Sequence, residues 1–111
     1  MRRPRLSLTD AAVNDILEQA DWYEQQADAR LSDRWERAIS QTLLRIIRNP
    51  RSGILCSLAA DQLRGVRYAP VTGFAKQLVF YLVEKDELRV LRHAIDPTGI
   101  IFRGEKMPAA S

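Results

Sequence analysis

This chain of 111 residues is poor in the side chains that usually announce chemistry. It has one cysteine, Cys56, and one histidine, His93. One cysteine closes no internal disulfide, and one His with one Cys assembles no metal site by the usual ligand spacing. No metal and no cofactor is expected. Cys56 stands between Leu55 and Leu58, which suits a small packed thiol better than a nucleophile. No apolar run approaches a membrane span, and no apolar N-terminal segment has signal-peptide character. A cytoplasmic protein is expected, with no membrane contact and no small-molecule ligand. Charge of one sign is only mildly in excess: the net charge is +3 and the sequence pI about 9.4. Such a balance suits nucleic acid or an acidic protein partner and requires neither. After Asp96 there is no tyrosine, and Phe102 is the one aromatic residue. The run from Ser57 to Gln62 holds Asp61 but no lysine or arginine.

What is present is an ordinary globular mixture, 46% hydrophobic and 28% charged, of a length that suits one domain with a modest core. The organising stretch is Arg64 to Asp96, which reads as three consecutive strands. In Lys76 to Glu84 the centre is apolar on both faces: Leu78, Phe80 and Leu82 alternate with Val79, Tyr81 and Val83. A strand of that kind lies inside a sheet, covered on both sides. Lys85-Asp86-Glu87 is a polar break, and Leu88 to Ala94 resumes the apolar pattern as the second arm of a hairpin. Gly65 to Val71 supplies the third strand. Pro70 lacks an N–H, so it belongs at a strand end or on an unpaired side.

Leu6-Ser7-Leu8 suits a short strand at a sheet edge. Thr9 then has the character of a helix N-cap, with Asp10 in the first turn, where a negative charge complements the helix dipole. Ala12, Val13, Ile16, Leu17, Ala20, Tyr23 and Ala27 recur at helical spacing and predict a helix to about Gln26. Leu31, Trp35, Ala38, Ile39, Leu43, Ile46 and Ile47 predict a second, stopped by Asn49-Pro50. The short link at Ala27–Ala29 makes the two an antiparallel hairpin. A turn follows at Pro50–Gly53, then a stretch without clean period from Ile54 to Gln62. Helical hairpin and meander each have an apolar face to bury, so the expected fold is a two-layer α+β domain. It spans residues 1–102, with a polar tail at 103–111.

In order and spacing these residues resemble the RelE/ParE superfamily of small bacterial toxins from type II toxin–antitoxin modules. The features that match are Ala11 to Leu17 followed by Trp22-Tyr23; Asn49-Pro50 and Gly53 after the second helix; Leu63 to Arg67 opening the strands; Phe80-Tyr81; and Val90 to Ala94. The resemblance covers about Leu6 to Asp96. It implies an N-terminal strand and helical hairpin packed on an antiparallel meander. In the RelE-like branch it implies metal-independent cleavage of messenger RNA on the ribosome by clustered basic groups, which here would be Arg67, Arg92, His93 and Lys76. In the ParE-like branch it implies inhibition of DNA gyrase by binding, with no catalytic residue. The missing C-terminal tyrosine and the missing basic residues at Ser57 to Gln62 favour the ParE-like branch. Ile95, where many members have an arginine before the closing aspartate, departs from both. The resemblance further implies a cognate ParD-like antitoxin whose tail folds onto Trp22, Trp35, Arg67, Phe80 and Arg92 in a toxin–antitoxin hetero-oligomer. His93 and Asp96 would face the target. A third reading is an inactive toxin fold kept as an interaction module.

Each of these residues also has a plainer role open to it. Trp22, Tyr23 and Trp35 suit helix packing as well as a partner surface. His93 suits a structural histidine as well as a base. Arg67 and Arg92 suit forks for phosphate or carboxylate, or salt bridges to Asp96 or Glu84. Arg30, Arg34, Arg37, Arg45, Arg48 and Arg51 stud the second helix and the turn after it. They suit a solvated face, or contact with an acidic partner or a nucleic-acid backbone.

Overall fold

The computed structural model describes residues 4–56 and 65–95. The expectations for Ser57 to Arg64, Asp96, Phe102 and the tail at 103–111 lie outside those residues. The elements are β1 (Arg5–Leu8), α1 (Asp10–Gln26), α2 (Ala29–Arg48), a 3-10 turn (Pro50–Ser52), β2 (Ile54–Leu55), β3 (Val66–Val71), β4 (Phe74–Val83) and β5 (Glu87–Ile95). They form one five-stranded sheet in the order β1-β5-β4-β3-β2. All neighbours are antiparallel except β1 and β5, which run parallel from Arg5 opposite Glu87 to Leu8 opposite Val90.

Local chemistry accounts for the boundaries. Thr9 is extended, and its Oγ1 accepts the Ala12 N–H at 3.0 Å, satisfying one orphan donor of α1. The same hydroxyl donates to the Leu91 carbonyl at 2.7 Å, and the Thr9 N–H donates to the Val90 carbonyl at 3.0 Å. One residue thus caps α1 and pins it to β5. Asp28 caps α2 by accepting the Leu31 N–H. α2 stops at Arg48 because Pro50 excludes Asn49 from helical geometry. The β3–β4 connection is Thr72-Gly73, with Gly73 at φ +82, a conformation glycine adopts without strain. β2 pairs only with Arg67 and Tyr68, which leaves the far side of Pro70 without a strand, as its missing N–H requires.

The hairpin of α1 and α2 covers one face of the sheet. Trp35 and Ile46 are fully buried there, with Val79, Tyr81, Leu88 and Val90 from the strands. Trp35 Nε1–H donates to the Ile16 carbonyl at 3.1 Å and ties the two helices together. On the other face of β3 and β4, Val66, Tyr68 and Leu78 are also buried, but Phe80 and Leu82 are only half-buried, so the strand expected to be covered on both sides is so only in part. The apolar stripe of α2 is buried as expected. That of α1 is only partly so: Val13 is 40% and Leu17 53% exposed, while Gln19 is buried in their place. At 100° per residue the buried arc of α1 runs through Ala12, Ile16, Gln19 and Tyr23, and Val13 and Leu17 fall one step past it.

An open groove between the first helix and the end of the sheet

One irregularity of the sheet shapes the candidate site. Phe80 pairs with Arg92 and Tyr81 with Val90, so Leu91 is an extra residue, a β-bulge. Strict alternation from Leu88 and Val90 would turn Arg92 inward. The bulge turns Arg92 outward and His93 inward, opposite buried Val79. Asp15 on α1 holds this kink. Its carboxylate accepts Arg92 Nε–H at 2.8 Å, an Arg92 terminal N–H at 3.0 Å and the His93 backbone N–H at 3.1 Å. The Arg92 hydrogen bond, helped by the His93 N–H, holds the Asp15 carboxyl below its ordinary value of 3.8, against a smaller opposing effect of burial.

β1 ends at Leu8, opposite Val90. Beyond it, residues 91–95 of β5 have β4 on one side and, among the described residues, no strand on the other. Between that edge, the start of β4 and α1 lies a groove of about 770 Å³. Glu18, Trp22 and Tyr23 line it from the helix; Phe74, Lys76, Gln77, His93 and Ile95 line it from the strands. Aromatic rings run out of the core into it. His93 sits 5.0 Å from Trp35, Trp35 sits 5.8 Å from Tyr23, and Tyr23 sits 5.6 Å from Trp22, which is 54% exposed. His93 Nε2–H donates to the Gln77 amide oxygen, and the Gln77 NH2 donates to the Tyr23 hydroxyl at 2.9 Å. Burial pushes the His93 pKa below 6.5, and Asp15 opposes this more weakly. A neutral His93 is the form this wall accommodates.

The far end of the sheet is closed. The Tyr81 hydroxyl accepts the Gly53 N–H at 2.9 Å and donates to the Pro50 carbonyl at 2.8 Å. An Arg67 terminal N–H donates to the Gly53 carbonyl at 2.8 Å and to the Arg51 carbonyl at 3.2 Å. These bonds fasten the turn after α2 to the centre of the sheet. Burial of Tyr81 raises its pKa above 10.0, so it stays a phenol. Burial likewise raises that of Cys56 above 9.0, in keeping with the packed-thiol reading.

The residues expected to form sites are therefore dispersed. Trp35 is fully buried and offers a partner no surface, which corrects its assignment to an antitoxin contact; its bulk is spent between the two helices and the sheet. Phe80 packs against Tyr68, 5.8 Å between ring centres, on the face of the sheet away from Trp22. Arg92 pairs with Asp15 across the strand edge, and Glu84 faces Arg89; the alternative partner Asp96 lies outside the described residues. Among the described residues Arg67 bonds carbonyls and no carboxylate. His93 is only 8% exposed, so it shows a target little more than a ring edge. Lys76 and His93 share the groove, but Arg67 pairs with Tyr81, five residues along β4 from Lys76 and about 17 Å away. Asp15, Gln77 and Tyr81 carry the local chemistry and were not singled out as site residues. Gln77 shares its parity with Val79 and Tyr81, a signal that was there to be read. Nothing in sequence marks Asp15 apart from the other acids of α1.

Two solved structures share this arrangement. A chain of the chromosomal ParDE toxin–antitoxin system from P. aeruginosa superposes with a TM-score of 0.69 at 16% identity, covering 84% of this chain and 96% of that one. A YoeB/ParE toxin from Agrobacterium tumefaciens gives a TM-score of 0.53 at 19% identity, covering 82% and 96%. At such identities the likeness speaks for the fold. No curated protein matches the chain. The profile of the family described as the ParE toxin of the type II toxin–antitoxin system parDE matches residues 6–97, and the chain belongs to that family. An antitoxin partner comes with membership.

Proposed function

We propose that this toxin inhibits DNA gyrase by binding it and is neutralised by a ParD-like antitoxin. The observation that carries the reading is the dispersal of the basic set. Arg67 is spent on the turn after α2, Arg92 on Asp15, and His93 is buried against Trp35 and Gln77. A metal-free nuclease needs such groups converging on one phosphate. The groove suits a different use. It has an exposed tryptophan, Ile95 half exposed at its rim and, among the described residues, a strand edge that no strand covers past Leu91, although Asp15 already takes the His93 N–H there. An extended antitoxin segment gains main-chain hydrogen bonds from such an edge and apolar burial from the groove beside it. Trp22 is then the anchor, and Arg92 and Asp15 flank it.

The test runs purified toxin in a gyrase supercoiling and cleavage assay beside ribosome-programmed RNA cleavage. Trapped double-strand breaks with intact RNA, reversed by the cognate antitoxin, are expected. Cut RNA with unaffected gyrase would sink the proposal and promote Lys76 and His93, which share the groove, to catalytic candidates.

A further inference from the structure

A second surface, which meets the groove at Phe74, is electrostatic. Of the 17 basic residues only Lys76, Lys85 and Lys106 are lysine, and a large share of the arginines stand on α2. Arg30, Arg34, Arg37, Gln41, Arg45 and Arg48 are spaced by four, three, four, four and three residues. At 100° per residue they fall within about 80° of arc and form one stripe about 27 Å long. All six are exposed. The acids of the helix, Asp33 and Glu36, lie to one side of that arc, and no ion pair joins them to it among the described residues.

The stripe is not consumed by the fold. Arg45 alone is committed, donating to the Pro70 carbonyl at 2.7 Å and to Thr72 Oγ1 at 3.0 Å. The Arg34 guanidinium lies 5.9 Å from the centre of the Phe74 ring. Arg30, Arg37 and Arg48 have no hydrogen bond or ion pair among the described residues. Beside the middle of the stripe is a shallow depression of about 360 Å³, lined by Arg34, Arg37 and Gln41, by Thr72 and Gly73, and by apolar Ala38 and Phe74. The backbone there is approachable: a Cβ on Gly73 would meet nothing within 4 Å.

We infer that this arginine stripe on α2 binds the phosphate backbone of duplex DNA, without reading sequence. The chemistry separates DNA from an acidic peptide. A peptide that folds on binding needs continuous apolar surface to bury; the stripe has only half-exposed Leu44 beside it and Ala38 and Phe74 in its depression, less than the groove by Trp22 offers. A row of exposed guanidinium groups along one helix face, with Arg30, Arg37 and Arg48 unpaired among the described residues, fits a linear polyanion, for which arginine forks are suited to the phosphate oxygens. A length of about 27 Å runs alongside about eight base pairs. The inference does not depend on gyrase being the target. Where gyrase is the target, its bound DNA would give the toxin a second contact.

The test is fluorescence anisotropy of a labelled 30-base-pair duplex of arbitrary sequence with full-length toxin, from about 50 to 200 mM salt. Two double variants are compared, Arg30→Gln with Arg37→Gln, and Arg5→Gln with Lys85→Gln. Each removes two exposed charges, and thermal melts followed by circular dichroism confirm that each is folded. Expected are micromolar binding that weakens steeply with salt, a salt slope smaller by about 2 in the stripe variant, and affinity roughly tenfold lower in it. The Arg5/Lys85 variant should stay close to the parent. Absence of duplex binding at 50 mM salt would overturn the inference, as would equal losses in the two variants. Poly-glutamate displacing the duplex charge for charge would overturn it too, and would give the stripe to an acidic protein. Gyrase is absent from the assay, so failure here leaves the gyrase reading standing, and failure of gyrase inhibition leaves this result standing.

Discussion

The two ends of the sheet meet the helices in opposite ways. At one end, Tyr81 and Arg67 spend their polar atoms on the turn after α2, and Gly53 packs so tightly on the Tyr81 ring that a Cβ would sit 2.1 Å from its hydroxyl. At the other, β1 stops early, a bulge bends β5, and an aromatic ladder leads from buried Trp35 to exposed Trp22. The closed end has its hydrogen bonds satisfied internally and serves stability. Among the described residues, the open end leaves a strand edge and apolar surface uncovered. Buried polar groups left unpaired are costly, whereas an exposed edge is tolerated until a partner arrives.

Substitutions should break or sharpen that contrast. Trp35→Ala removes a fully buried ring and should cost about 3–5 kcal/mol in urea unfolding. Trp22→Ala, one aromatic neighbour further out, is its counterpart and the smallest effect in the series. Gly53→Ala should rank next, at about 3 kcal/mol, because the new methyl collides with a ring held on both sides. If Gly53→Ala were neutral, the closed end would be looser than its hydrogen bonds imply. Asp15→Asn keeps the shape but loses the charge that holds the bulge, and should cost about 1–2 kcal/mol. The amide shift of His93 in NMR should report the change.

The open end should also respond to acid. The folded pKa of His93 lies below 6.5, so the unfolded chain takes up the proton first. Stability is then complete above 6.5 and falls as pH drops through that value toward the folded one. Asp15, whose folded pKa is depressed, adds a further loss as pH falls below 3.8. The urea midpoint should be lower at pH 5 than at pH 7.5, and His93→Gln should flatten that interval. A midpoint unchanged over the interval would mean that the ring is protonated without cost where it sits. Last, Trp22→Ala should leave stability within about 0.5 kcal/mol while weakening antitoxin binding by tenfold or more. Equal losses in both would mean that Trp22 belongs to the core.

Much of this was legible. The caps at Thr9, the stop at Asn49-Pro50, the stripe of α2 and the hairpin at Lys85–Glu87 all stand where local rules put them. The family was legible as well, from residues spread over the whole chain. The site was less so. Trp35 falls on the apolar stripe of its helix and is fully buried, whereas Trp22 falls off the stripe of α1 and is 54% exposed, yet both were expected at the antitoxin. Exposure depends on which arc of α1 the sheet covers, and both arcs of that helix hold apolar residues.

Periodicity, caps and turn residues by themselves determined the elements, their order and the two-layer packing, because each follows from interactions within a few residues. The pairing of first and last strands, the bulge at Leu91 and the choice of Asp15 as its holder were decided only in three dimensions. A bulge inserts one residue, and one residue inverts a strand's faces. Alternation alone would bury Arg92 and expose His93; the folded sheet does the reverse, since a carboxylate 77 positions away satisfies the arginine in the open while the imidazole packs on Trp35.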